Sequence, residues 1–230
     1  MSICIIPARG GSKRIPRKNI RDFGGLPMIA WSIQAAIKSG CFDRIIISTD
    51  DDEIAKISEH HGAEVPFRRS QALADDKTPT VPVIVDAIAR LNIAAQTPVC
   101  CLYATAPFVT PDDLEAGLVQ LNDTNAPFVL SVTTYAFPIQ RALRRNSAGE
   151  IEMFNYAQIQ TRSQELEEAW HDAGQFYWGR AKSWTNNQGV FCKGTQGLAL
   201  PRYRVQDIDT EEDWLCAERM MCSLIKNVLP

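Results

Sequence analysis

Fourteen residues near the start of the chain, IPARGGSKRIPRKN at positions 6–19, carry five basic side chains, two adjacent glycines and two prolines. A protein with a net charge of -3 has no general use for such a concentration. Each residue type there suits an anion. Arg9 offers a planar guanidinium fork to phosphate oxygens, and Lys13 and Lys18 are compact point charges. Ser12 adds a hydroxyl donor. Gly10 and Gly11 permit a tight turn that brings backbone N–H groups close to a ligand. Together they fit a polyphosphate, although neither G-x-G-x-x-G nor G-x-x-x-x-G-K-[ST] is present. The bland alternative is a solvated basic turn.

Near the other end, DIDTEEDW sets Asp207 and Asp209 one residue apart. In extended backbone both carboxylates face the same way and offer hard oxygens to Mg²⁺. Helix capping accounts for part of the same stretch, with Thr210 as N-cap and Glu211 and Glu212 in the first turn, but it does not call for Asp207. The residues alone leave both readings open. A third segment, RRSQALADDKTPT at 68–80, is basic, then apolar, then acidic and hydroxyl-rich. Taken alone it is a surface loop entering a helix capped by Asp76 or Thr78.

The elements that must hold these groups alternate. SICIIPA, RIIISTD, PVCCLYATAP and APFVLSVTT are short apolar runs that predict buried strands. Between them, MIAWSIQAAIKSG, DDEIAKISEHHGA, TPTVPVIVDAIARLN and PDDLEAGLVQLN predict helices, the first with Ile29, Ile33 and Ile37 on one face and Gly40 as its stop. The pattern predicts an α/β fold: a mostly parallel central sheet with helices on both faces. The basic loop follows the first strand, where ligands bind in such sheets. The rhythm breaks at about 134–172. There FPIQRALRRNSAGEIEMFNY predicts a hairpin turning at Asn146–Gly149, and RSQELEEAWHDAG a charged helical or loop segment. The rhythm resumes with QFYWGRAKSW and GLALP and closes on the helix EEDWLCAERMMCSLI. An insertion of this size usually has work to do.

Composition bounds the rest. A chain of 230 residues, 45% hydrophobic and 22% charged, suits one globular domain. The slightly acidic balance argues against a general nucleic-acid or membrane-surface role. No run approaches membrane-spanning length, and Ser2–Ile6 is too short for a signal-peptide core. Seven scattered cysteines without a C-x-x-C predict reduced thiols in a cytoplasmic protein, with Cys100 and Cys101 inert in a strand. His60 and His61 lack ligand spacing and read as surface residues; in the arm, Arg141 and Arg144 are basic candidates without a secure match, and Arg144 and Arg145, beside a turn, read better as surface charge.

The loop PARGGSKRIPRKN resembles the signature of the CMP-sugar synthetases, cytidylyltransferases that activate sialic acids and related nonulosonic acids. The similarity runs on in order. RRSQALADDKTPT is similar to R-P-x-x-L-A-x-D, with Ser70 where proline is common, and LYATAP lies where the family carries L-Q-P-T-S-P. RSQEL resembles R-x-x-L, DAGQFYW resembles N-G-x-x-Y, and DIDTEEDW resembles the family's D-I-D-T. LADDKTPTVPVI, ATAPF and DAGQFYWG are most like the pseudaminic acid branch.

The resemblance implies a Rossmann-like nucleotidyltransferase and a homodimer joined through the arm. It implies CTP and a nonulosonic acid as partners, and Mg²⁺, or Mn²⁺ in its place, on Asp207 and Asp209. Ala8, Arg9, Gly10, Gly11, Ser12 and Lys13 match the nucleotide loop, and Arg9, Lys13 and Lys18 the catalytic cations. Asn19, Arg69, Thr78 and Thr80 match ribose and cytosine positions. Tyr103, Thr105, Arg162 and Gln175 match the sugar side, Arg162 reaching from the neighbouring subunit. Tyr103 stands where the sialic-acid enzymes carry Gln, Ala104 where they carry Pro and Ala106 where they carry Ser, and the loss of the Gln and Ser groups implies a more apolar sugar pocket. The implied reaction is CMP transfer to pseudaminic acid for surface-glycan or flagellin glycosylation. N-acetylneuraminic, legionaminic and Kdo-type substrates are the alternatives, and a non-catalytic nucleotide sensor lies outside the class.

Overall fold

A computed structural model describes residues 1–186 and 188–228, with the side chains of 225–228 excepted. The chain opens with β1 (Ile3–Pro7), a tiny hairpin of β2 (Asp22–Phe23) and β3 (Leu26–Pro27), and α1 (Met28–Ser39). Then come β4 (Arg44–Ser48), α2 (Asp52–His60), α3 (Thr80–Arg90), β5 (Pro98–Leu102), α4 (Pro111–Thr124) and β6 (Phe128–Thr134). The arm holds β7 (Leu143–Arg145) and β8 (Ile151–Met153). It is followed by β9 (Trp170–Arg180), α5 (Ala181–Thr185), β10 (Gln196–Ala199) and α6 (Glu211–Val228).

The central sheet has the order β10-β6-β9-β5-β1-β4. β1 runs parallel to β4 and β5, and β10 runs parallel to β6. The strands alternate between two apolar faces. Cys4, Ile6, Ile47 and Leu102 pack under α1, α2 and α4, while Ile3, Ile5, Val99 and Phe128 pack under α3 and α5. This is the mostly parallel α/β architecture that the alternating pattern predicts.

β9 lies antiparallel between β5 and β6, a reversal that the alternating pattern does not predict. The chain leaves β6 through the arm and returns beside it without a helical crossover, so the returning strand must run backwards. Trp170–Asp172, expected in a charged helical or loop segment, pair with Val132–Thr134 and open β9. Ile37 is a second correction. Ile29 and Ile33 are fully buried, but Ile37 is 47% exposed. Steps of four residues drift around the helix, and eight residues place Ile37 about 80° off the buried face. Gly40 ends α1 in the left-handed conformation (φ 63°), as its glycine signal implies.

Candidate active site

A cleft of about 270 Å³ opens beyond the carboxyl ends of β1 and β5. Arg9, Ser12, Lys13, Lys18, Asn19, Arg69, Thr78, Thr80, Tyr103, Thr105 and Asp209 all line it. Two segments far apart in sequence meet there because a separate apolar cluster anchors both. Ile15 from the basic loop and Ile208 from between the two aspartates are each 1% exposed and pack with Phe23, Phe108, Trp214 and Ala217. Burying Ile208 turns Asp207 and Asp209 to the opposite side. Thr210 caps α6 by accepting from Asp213 N, and Asp213 in turn accepts from Thr210 N. The capping reading therefore holds for Thr210, with Asp213 as its partner, and it leaves both Asp207 and Asp209 to other work.

The basic loop is fixed from several sides. Arg17, in the left-handed region at φ 57°, pairs with Asp51 at 2.5 Å and with Glu53 at the start of α2. A Cβ on Gly10 would meet Asp51 Oδ2 at 2.5 Å and Asp51 Cβ at 2.9 Å, so a side chain here would displace Asp51 from its pairing with Arg17. Gly11 meets no such neighbour and has no positive φ. The buried Asn19 donates to Arg9 O at 3.0 Å and ties the loop to itself. Lys18 Nζ donates to Ile208 O at 2.5 Å and lies 3.3 Å from Asp209 Oδ1, while Arg14 reaches Asp209 Oδ2 at 2.9 Å.

On the opposite rim, Asp76 receives Arg9 at 2.9 Å and Lys13 at 2.5 Å. The Lys13 hydrogen bond and the two positive charges hold the Asp76 carboxyl below its usual range. Asp75 accepts from Thr78 through both N–H and hydroxyl, so the 75–78 turn is built before α3 begins. The helix cap expected at Asp76 or Thr78 falls instead on Pro79. Asp207 is held above the usual carboxylate range, first by desolvation and then by the Asp209 charge. No described ion pair engages its carboxylate, and two neighbouring carboxylates of this kind fit a hard divalent cation.

The inner end of the cleft has a different character. Arg69 has a side chain only 4% exposed, 3.7 Å from Asp50, and its Nε and Nη2 lack hydrogen-bond partners. Burial lowers its pKa. Thr80 Oγ1 lies 3.1 Å from Tyr103 Oη. Other expected residues lie elsewhere. Ala8 is buried behind the loop, and Ala106 is buried as well. Gln175 is buried and donates to Arg204 O at 2.5 Å, leaving its Oε1 without a partner. Arg162 is exposed on the arm, at the start of a short 3-10 turn (Ser163–Glu165). Arg144 pairs with Glu152 across the arm hairpin.

The cytidylyltransferase family model matches residues 3–182. The chain belongs to the cytidylyltransferase family. It is 43% identical, over 92% of both chains, to the pseudaminic acid cytidylyltransferase of Campylobacter jejuni subsp. jejuni serotype O:2. It is 30% identical, over 95% of both, to the CMP-N,N'-diacetyllegionaminic acid synthase of Legionella pneumophila. A CMP:2-keto-3-deoxy-manno-octonic acid synthetase solved with CTP shares the fold, with a TM-score of 0.69 over 96% of this chain and 98% of that one at 19% identity.

Within this cytidylyltransferase, some cleft residues carry no distinct signal in the sequence. Arg14 and Asp76 lie inside the basic loop and the 68–80 segment, and their partners, Asp209 for Arg14 and Arg9 and Lys13 for Asp76, are set by the meeting of the loops. Arg204 gave no signal at all. It clasps Asp113 at 2.5 and 3.0 Å and donates to Phe108 O, fixing the approach to Asp207 against the first turn of α4.

Proposed function

We propose that this cytidylyltransferase transfers CMP from CTP to pseudaminic acid and releases pyrophosphate. The observation that carries the reading is the cleft itself. Its outer half sets Arg9, Lys13 and Lys18 around a polyphosphate-sized space and brings Asp209 against the same loop. Its inner half offers buried donors on Arg69 and a hydroxyl on Thr80. The 43% identity to a pseudaminic acid cytidylyltransferase supports the sugar assignment.

The sugar's anomeric hydroxyl attacks the α-phosphorus in line, and the bond to pyrophosphate breaks. No covalent enzyme intermediate is required, so catalysis rests on positioning and charge neutralisation. Arg9 and Lys13 exchange Asp76 for phosphate oxygens and neutralise the departing pyrophosphate. Lys18, locked by Ile208 O, keeps Asp209 and the phosphate loop in register. Asp207 and Asp209 would hold Mg²⁺, or Mn²⁺, which supplies positive charge to phosphate oxygens when bound. Tyr103, Ala104 and Thr105 form the wall next to the nucleotide and favour a sugar with fewer hydroxyls.

The arm supports a homodimer. Phe137, Phe154 and Ile151 are 82%, 66% and 64% exposed there, more apolar surface than a lone arm keeps in water. Among the described residues no helix is long and apolar enough to cross a membrane. A cytoplasmic setting agrees with the reduced thiols and the CTP substrate.

Pyrophosphate release decides the substrate. Given CTP with pseudaminic, legionaminic and N-acetylneuraminic acids in parallel, kcat/KM for pseudaminic acid should exceed that for N-acetylneuraminic acid by at least about a hundredfold, because unpaired hydroxyls of the latter are desolvated. Equal use of the sugars would replace this assignment with a general nonulosonic acid synthetase.

A further inference from the structure

Four oxygen groups form a line from the inner cleft to the root of the arm. Thr80 Oγ1 lies 3.1 Å from Tyr103 Oη, and Tyr103 Oη lies 3.5 Å from Tyr177 Oη. Tyr177 donates to Asp172 Oδ2, and Asp172 Oδ1 accepts from Gly174 N at 2.8 Å. Thr80 and Tyr103 line the cleft, whereas Tyr177 is 6% exposed within the sheet. The two tyrosine rings meet edge to face, with centroids 5.5 Å apart.

Counting protons along this line gives it a direction. A carboxylate only accepts, and a tyrosine or threonine hydroxyl has one proton to give. Tyr177 gives its proton to Asp172, so its oxygen is left to accept from Tyr103. Tyr103 is then left to accept from Thr80. The Thr80 proton is turned inward, and its lone pairs face the cleft. Burial keeps both tyrosines in the protonated form that this count requires: Tyr103 is pushed up to about 12 and Tyr177 higher still. The unpartnered Nε and Nη2 of Arg69 supply donors in the same cleft.

We propose that the chain Asp172–Tyr177–Tyr103 fixes Thr80 as a hydrogen-bond acceptor and thereby selects cytosine over uracil, with Tyr177 and Asp172 as positioning residues for base choice. The inference rests on the cytidylyltransferase reading above. Cytosine presents an exocyclic amine, a donor, to Thr80 and two acceptors, O2 and N3, to Arg69. Uracil presents the O4 acceptor to Thr80 lone pairs and turns N3 into a donor. Both ends of the pattern are then mismatched.

Calorimetric binding of CTP and UTP to the full-length protein in Mg²⁺ tests this without any sugar. The unmodified protein should prefer CTP. Tyr177→Phe removes the acceptor from Tyr103 and lets the line reverse, so the CTP-to-UTP affinity ratio should fall at least about tenfold. Tyr103→Phe frees Thr80 directly and should lower the ratio in the same way. A packing defect would weaken both nucleotides together, and only lost polarity moves their ratio. Melting temperatures establish that the variants fold, and if Tyr177→Phe does not, Tyr103→Phe decides. A CTP preference that survives in the folded variants overturns this inference alone. An unmodified protein that binds CTP and UTP alike overturns both the inference and the reading beneath it.

Discussion

Asp76 occupies the two cations, Arg9 and Lys13, that the proposed reaction assigns to the triphosphate. The Lys13 side chain is 80% exposed, and exposed ion pairs contribute little in water. Asp76→Asn should therefore tighten CTP binding, measured calorimetrically, by no more than about fivefold. The cations themselves matter more once charge builds on the leaving group. Arg9→Ala and Lys13→Ala should each cost about 2 to 4 kcal/mol in transition-state stabilisation, seen mainly in kcat of pyrophosphate release. A raised KM for CTP with unchanged kcat would mean ground-state binding only. Asp207→Asn and Asp209→Asn should nearly abolish turnover at limiting Mg²⁺ and leave the melting temperature nearly intact, since neither carboxylate belongs to the apolar cluster that buries Ile208, and of the two only Asp209 lines the cleft. At this scale the sequence was readable wherever chemistry concentrates in a short stretch: a basic glycine loop, or a spaced pair of aspartates. It was unreadable where one residue of a pair is 40 or more positions from its partner, as with Arg204 and Asp113. Gln175 shows the converse. Its segment resembles a sugar-contact motif, yet its amide is spent on a backbone carbonyl inside the protein.

Between elements, the Arg204–Asp113 clasp joins the approach to the aspartate pair with the N-terminus of α4. Burial alone would raise the Asp113 pKa, but its hydrogen bonds to Arg204 and Thr110 win and hold it below the ordinary value. A depressed carboxylate stabilises the fold above its unfolded pKa of about 3.9, and that contribution is lost as the pH falls through the folded value. Asp113→Asn should cost about 3 kcal/mol at neutral pH because it strands a half-buried guanidinium. In thermal melts the gap between the variant and the unmodified protein should narrow as the pH drops below the unfolded value and close beneath the folded one. Helices and strands were legible here because burial imposes periods of 3.6 and 2 on the residues. Strand direction was not. β9 is apolar on both faces like its parallel neighbours, and nothing in such a run says which way it points.

Across the whole molecule, the exposed Arg162 lies outside the cleft of its own chain, on an arm that displays Phe137 and Phe154 to solvent. If the proposed homodimer forms through that arm, Arg162 would reach the partner's site. Mixing Arg162→Ala with Asp209→Asn protein should then regenerate one intact site per heterodimer and partly restore pyrophosphate release. No recovery after verified subunit exchange would remove Arg162 from the site. The break in the α/β rhythm located the arm, but not what covers it, since sequence periodicity describes one chain at a time. The reversed strand also orders events in time. β9 fills the slot between β5 and β6, yet the ribosome makes it about 40 residues after β6 and well after β5. Until it arrives, the nascent chain carries the β5-β1-β4 half-sheet with an open β5 edge and a lone β6 strand, since β10 is made later still, and only β9 joins the two. The outer cation loop, β1 and the β5 wall exist by then, but the Tyr177 that orients Thr80 does not. Nascent chains stalled before residue 170 should consequently be protease-sensitive and prone to edge pairing, and selective nucleotide recognition should appear only when the last third of the protein has been synthesised.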